Sequence, residues 1–159
     1  MPSRTGLHLD RSLLVPAEPV SVSVARRFVT ELLAALGCTC SLADDAELML
    51  SELVTNAVRY QNDGGIEISA ILRGPALRVS VTDDSGDVPV RRRSRGANDP
   101  AMSPAVGSRS SLDGGGHAAS GRGLFLVEQL ATRWGWAPLT VGKVVWFEAM
   151  CVCRATGMR

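Results

Sequence analysis

The clearest hydrophobic pattern in the chain predicts a helix over residues 41–60. Apolar side chains recur there with the spacing of one helix face, at Ala46, Met49, Leu50, Leu53 and Ala57. Ser41 is a favourable N-cap residue, and the turn-forming run Asn62-Asp63-Gly64-Gly65 follows the last turn. At about 100° per residue, Glu52 and Asn56 lie roughly 40° apart at the border of the apolar stripe. We therefore expect both polar side chains to project into whatever groove this helix lines.

The same reasoning divides the rest of the chain into strands, where apolar residues alternate, and helices, where they recur every three or four positions. The predicted strands cover 8–15, 66–72, 77–81, 134–139 and 143–152. Two further helices are predicted, over 20–36 and from Leu124 onward, and Gly37 is expected to end the first of them. Residues from about 90 to 120 follow neither period and contain clustered arginines and a run of three glycines. A loop of that length in a compact domain is typical of a functional lid or a disordered segment.

Composition and charge narrow the class of protein. The chain has 159 residues, 45% of them hydrophobic, which is enough for the core of one domain over 1–159. Its formal net charge of +1 gives no reason to expect direct nucleic-acid or membrane binding. Because no long apolar run and no secretory signal pattern occur, we expect a cytoplasmic protein.

Four cysteines form two C-x-C pairs, Cys38-Thr39-Cys40 and Cys151-Val152-Cys153. A tetrahedral zinc site is one interpretation, although the gap between the pairs is long and C-x-x-C is the more typical spacing. Reduced cysteines in the core or near the C-terminus are the simpler interpretation, and a disulfide is disfavoured in the cytoplasm.

Three polar motifs could carry chemistry. The amide oxygen of Asn56 is a hard ligand suited to magnesium, and the carboxylate of Glu52 can accept a proton from a hydroxyl. The segment Asp83-Asp84-Ser85-Gly86 follows a strand, where a fixed carboxylate can accept a hydrogen bond from an amine on a ligand. Gly121-Arg122-Gly123-Leu124 opens a helix, whose N-terminal N–H groups favour an anion. Each motif alone also has a plainer interpretation, as a solvated helix pair, an ordinary turn and an unremarkable G-x-G.

Taken together, the order and spacing of these motifs resemble the Bergerat-fold (GHKL) ATP-binding superfamily across nearly the whole chain. Two sequence motifs are similar to those of free-standing bacterial anti-sigma-factor serine/threonine kinases. They are Ser-Glu-Leu-Val-Thr-Asn-Ala-Val-Arg at 51–59 and Gly-Arg-Gly-Leu-Phe-Leu-Val-Glu at 121–128. The resemblance implies an α+β two-layer sandwich, with a mixed, mostly antiparallel sheet covered on one face by three helices.

The resemblance also implies a role for each motif. Asn56 would hold the Mg²⁺ that bridges the ATP phosphates, and Glu52 would be the general base for a protein serine or threonine hydroxyl. Asp83 would bind the adenine amine in a pocket shaped by Ser85 and Gly86. The residues expected to close over the phosphates are Gly121, Arg122, Gly123 and Leu124.

The implied function is that of an ATP-dependent kinase that phosphorylates an anti-anti-sigma (STAS-type) protein and sequesters a sigma factor. Relatives of this type often dimerise, so the resemblance also implies a homodimer. Three positions depart from the motif pattern of such relatives. Ser85 and Asp87 stand where glycines are expected, and Val144 replaces a threonine near the adenine. These departures motivate an alternative function, a non-catalytic nucleotide-binding or partner-binding regulatory module.

Overall fold

The computed structural model describes residues 8–60, 64–86 and 120–152. In chain order the elements are β1 (His8–Pro16), α1 (Val20–Ala35), α2 (Leu42–Tyr60), β2 (Gly65–Arg73), β3 (Ala76–Asp83), α3 (Ser120–Leu130), β4 (Arg133–Pro138) and β5 (Lys143–Met150). The strands form one sheet in the order β1-β2-β3-β5-β4, with every pairing antiparallel. Apart from Ser120, the predicted lid lies outside the described residues.

The helices bury one face of the sheet, and the other face is more exposed to solvent. In β3 the buried positions alternate with half-buried ones, and β5 shows the same pattern from its first residue. Side chains on the covered face, such as Val79 and Phe147, are fully buried. The predicted two-layer α+β sandwich, with three helices in the described part of the chain, is therefore confirmed.

Helix α2 lies at the centre of the helical layer. It packs between α1 and α3 and also contacts β3 and β5. The five apolar residues that predicted this helix are all buried, and Val54 joins them with no exposed surface. Since the apolar stripe faces the sheet, Glu52 and Asn56 lie at its border and are only half-buried.

Helix α1 ends just before Gly37, as the sequence predicted. Gly37 has a φ of 67°, its N–H donates to the Ala34 carbonyl at 2.9 Å, and the Cys38 N–H donates to the Leu33 carbonyl at 3.0 Å. This pair of bonds is a Schellman motif, which uses a left-handed residue to satisfy the last carbonyls of a helix. The motif fixes the backbone of Cys38 against the end of α1.

Among the described helices, none is long and apolar enough to cross a membrane.

The turn between β4 and β5 requires a glycine at position 142. Gly142 has a φ of 77°, and a Cβ added there would collide with the carbonyl oxygen of Asp83 and lie 2.7 Å from its carbonyl carbon. Gly74, in the turn between β2 and β3, has a similar φ of 58° but no atom within 4 Å of an added Cβ. An alanine would therefore have a strained backbone at either position, but only at position 142 would its Cβ also clash with other atoms.

We expect Gly142→Ala to lower the free energy of unfolding by about 1–3 kcal/mol more than Gly74→Ala does, because only the first change forces backbone apart. Both variants also bear the cost of a left-handed alanine, about 1–2 kcal/mol. Urea denaturation of the two variants measures the difference. Equal losses would show that the β4–β5 turn can move away from Asp83.

Candidate functional site

The first turn of helix α3 packs against Glu52 of α2. A Cβ added to Gly123 would lie 3.3 Å from both Cβ and Cδ of Glu52 and would collide with its Oε2. A side chain at this position would require the Glu52 carboxylate to move, so the glycine lets the first turn of α3 pack closely against it. The structure brings two of the predicted site residues, Glu52 and Gly123, into direct contact.

The start of α3 differs from the sequence-based expectation. The helix begins at Ser120, so Gly121 and Gly123 lie within its first turn, whereas the sequence pattern predicted a helix from Leu124 onward. Glycines have no side chain to show a hydrophobic period, so the pattern could not mark this turn. The N–H groups left without intrahelical partners therefore belong to residues 120–123.

Leu124 has a different position from the one its predicted role suggested. Its side chain is buried in the core, with 3% of its surface exposed, so only its backbone is available to a ligand. The side chains of residues 120–122, including Arg122, lie outside the described part of the chain.

The end of β3 carries a buried polar cluster. Asp83 and Ser85 are 4% and 2% exposed, and the Ser85 backbone N–H donates to Oδ1 of Asp83 at 2.9 Å. The Lys143 ammonium donates to the same Oδ1 at 3.0 Å and also contacts the Ser85 hydroxyl. Asp83 and Ser85 therefore lie together in one cluster, with a cation that the sequence analysis did not include. Gly86 follows them as an exposed residue, and Asp87 lies outside the described residues.

The sequence analysis considered Val144 in this part of β5, but Lys143 is the residue that contacts Asp83. Lys143 pairs with Asp83 across the strands, and it shares the covered face of β5 with Val145 and Phe147. Val144 is directed to the opposite face of the sheet. The period of two could have shown this, because Lys143 is two residues before a buried valine.

The donors and acceptors in this region fit a magnesium nucleotide in most respects. The Ser85 N–H and the Lys143 ammonium both donate to Oδ1 of Asp83, so Oδ2 is the oxygen that an amine on a ligand would use. Asn56 supplies a hard amide oxygen of the kind that Mg²⁺ prefers, and Glu52 lies one helical turn before it on the same helix. The N-terminal turn of α3 supplies N–H groups for an anion. Lys143 is the one group that fits less well, because it adds a donor where an amine would also donate.

A second buried carboxylate oxygen lies beside this cluster. Oδ1 of Asp84 is buried and has no hydrogen-bond partner among the described residues. Such an acceptor is costly to bury unless a ligand or another part of the chain donates to it.

Comparisons with known proteins identify the family to which the fold belongs. Residues 15–148 match the family described as Histidine kinase-like ATPase domain. Two proteins named Serine-protein kinase RsbW, from Listeria monocytogenes serovar 1/2a and Listeria innocua serovar 6a, are each 28% identical to this chain over 130 residues. These matches cover 78% of this chain and 76% of each relative.

The fold is also similar to that of a solved structure, the RsbU and RsbW domains of Rv1364c from Mycobacterium tuberculosis, with a TM-score of 0.61 and 19% identity. The match covers 89% of this chain but only 32% of the solved chain, so the protein spans about a third of that length. At this identity the likeness shows the fold alone.

The family match extends over most of the sequence, from β1 to β5. The chain therefore belongs to the histidine kinase-like ATPase domain family, within the Bergerat-fold superfamily that its motifs resemble.

Proposed function

We propose that this protein is an ATP-dependent serine/threonine kinase of the anti-sigma-factor type. In this proposal it phosphorylates an anti-anti-sigma (STAS-type) protein and sequesters a sigma factor. The observation that carries the proposal is the contact between Glu52 and the first turn of α3. It puts a carboxylate beside the helix end whose N–H groups suit phosphate.

A carboxylate at that place has a use in phosphate transfer that it lacks in simple binding. Next to bound phosphates its negative charge opposes binding, so a site that only held a nucleotide would do better without it. A kinase needs such a group to orient the attacking hydroxyl and accept its proton. Glu52 is therefore assigned as the general base.

The other site residues would bind and position the nucleotide. Asn56 would hold Mg²⁺, and Oδ2 of Asp83 would accept from the adenine amine, beside Ser85 and Gly86. The first turn of α3, with Gly121 and Gly123, would donate backbone N–H groups to the phosphates. Magnesium ATP, when bound, supplies the phosphoryl group and the cation that neutralises its charge. The names of the Listeria relatives, serine-protein kinases, support this reaction class.

One observation favours the alternative of a non-catalytic partner-binding module. The Lys143 ammonium already donates to Asp83 and contacts Ser85, in the region proposed for the adenine. In that case the protein would act only by holding its partner. The two functions differ first in whether the chain binds magnesium ATP at all.

We expect wild-type protein to bind ATP in the presence of Mg²⁺ and Asn56→Ala to bind it at least about 10-fold more weakly, which corresponds to about 1.4 kcal/mol. The physical reason is the loss of the amide oxygen that would hold the metal. Isothermal titration calorimetry measures both affinities. Asp44→Ala is the matched control, because Asp44 is exposed in the first turn of the same helix. Wild-type protein that binds no ATP at millimolar concentration would favour the partner-binding module instead.

A further inference from the structure

Three cysteine sulfurs from distant parts of the sequence meet at one end of the sheet. The Sγ atoms of Cys38 and Cys151, 113 residues apart, lie 3.1 Å from each other. Cys40 Sγ lies 3.3 Å from that of Cys38 and 3.7 Å from that of Cys151. Spacing alone favoured plain reduced cysteines, whereas the fold collects three of them into one cluster.

The backbone at each cysteine is held by the fold. The Schellman motif at the end of α1 fixes Cys38, and Cys40 follows in the connection between α1 and α2. Cys151 comes directly after β5, and its N–H donates to the Pro75 carbonyl at 2.8 Å. Cys151 is fully buried, while Cys38 and Cys40 are half-buried and pack against the core. The cluster is therefore preorganised at the edge of the core.

We infer that Cys38, Cys40 and Cys151 form a structural zinc site. Thiolates are preferred zinc ligands, and a tetrahedral ion with Zn–S distances of about 2.3 Å separates its sulfurs by roughly 3.8 Å. The three sulfurs would therefore move apart by no more than roughly 0.7 Å to accept the ion. Zinc binding replaces the proton of each ligating thiol, and the protons pass to solvent without any oxidant.

A disulfide explains the cluster less well. It would join two of the sulfurs at about 2.05 Å and would not account for the similar distance of the third sulfur from both. Three sulfurs with similar mutual distances match the symmetry of a metal site instead. The fourth tetrahedral position would take water or another ligand; Cys153 lies outside the described residues.

The cysteine cluster is far from the proposed nucleotide site. Lys143 begins β5 and Cys151 follows its last residue, so the two are separated by eight residues of extended chain, roughly 26 Å. Zinc at the cluster would connect the α1–α2 connection to the end of the sheet. It would stabilise the fold without taking part in phosphate transfer.

The test uses the full chain, reduced and incubated with zinc chloride, then separated from unbound metal. We expect about one zinc per chain by mass spectrometry of the metal. Cobalt(II) in place of zinc should give a thiolate-to-cobalt charge-transfer band. The Cys38→Ser and Cys151→Ser variants should each bind zinc at least about 10-fold more weakly in competition with a chromophoric chelator. Thr39→Ala, which changes an exposed residue between two of the ligands, should bind as wild type does.

Cys153 is kept in every variant, so a loss of zinc is traced to the described thiols. The cobalt spectrum of the wild type needs no variant to fold. Absence of the charge-transfer band would overturn the proposal, as would equal zinc affinity in wild type and both cysteine variants. Two thiols missing from the unreduced protein, together with no zinc binding after reduction, would identify a disulfide instead.

Discussion

Glu52→Gln is expected to slow phosphate transfer from ATP to a protein serine or threonine by roughly 10²–10⁴-fold, the usual contribution of a general base. The amide keeps the shape of the side chain, and with it the packing against Gly123, but it cannot accept the proton of the attacking hydroxyl. ATP affinity should stay the same or rise, because the change removes a negative charge beside the phosphates. The kinetic loss should therefore appear in the rate of transfer and not in binding.

The measurement is transfer of labelled γ-phosphate to a STAS-type anti-anti-sigma protein, with ATP affinity measured separately by calorimetry. Glu47→Gln is the matched control, because Glu47 lies on the same helix and its carboxylate is 3.9 Å from Arg26. That variant should transfer phosphate at the wild-type rate. If Glu52→Gln also transfers at the wild-type rate, Glu52 is not the base and the kinase proposal loses the observation that carries it.

The elements with strong periodicity were predictable from the sequence. Helix α2 was identified by five apolar positions, all of which are buried, and its bounds of Leu42–Tyr60 agree with the expected 41–60. The hairpin of β2 and β3 and the pair of β4 and β5 also agree with expectation to within two residues at each end. In these segments burial and local preference act in the same direction, which is the condition under which patterns are informative.

The details that the sequence did not predict depend on contacts between distant segments. Lys143 and Asp83 lie on neighbouring strands whose register no local pattern fixes. The cysteine cluster is another case, because it requires the end of β5 to lie beside the α1–α2 connection. The period of two puts Lys143 on the same face of β5 as Val145, but burial of a lysine runs against its usual preference for water, so its contact with Asp83 was not expected. Such exceptions are most common at functional sites.

The second large effect is expected from Lys143→Met, which should lower the free energy of unfolding by about 3–5 kcal/mol. The Lys143 side chain is 10% exposed and that of Asp83 is 2% exposed, so water screens this pair little. Removing the ammonium leaves the Asp83 carboxylate buried with its charge uncompensated. The double variant Asp83→Asn, Lys143→Met removes both charges and should recover most of the stability, because well-packed neutral groups often replace a buried pair at little cost.

Urea denaturation of the two single variants and the double variant gives the coupling energy directly. Arg133→Met is the control, since the Arg133 side chain is 71% exposed and 3.8 Å from Glu148, and its loss should cost no more than about 1 kcal/mol. A Lys143→Met variant as stable as this control would mean that the ammonium is not needed to hold Asp83.

The effect of ATP on the stability of these variants separates the two proposed functions. If the adenine amine donates to Asp83, magnesium ATP should stabilise Lys143→Met more than wild type, because the nucleotide restores a donor that only the variant has lost. If the site holds no nucleotide, ATP should leave the free energy of unfolding of both proteins unchanged. Lys143 would then serve only to neutralise Asp83 at the end of β3.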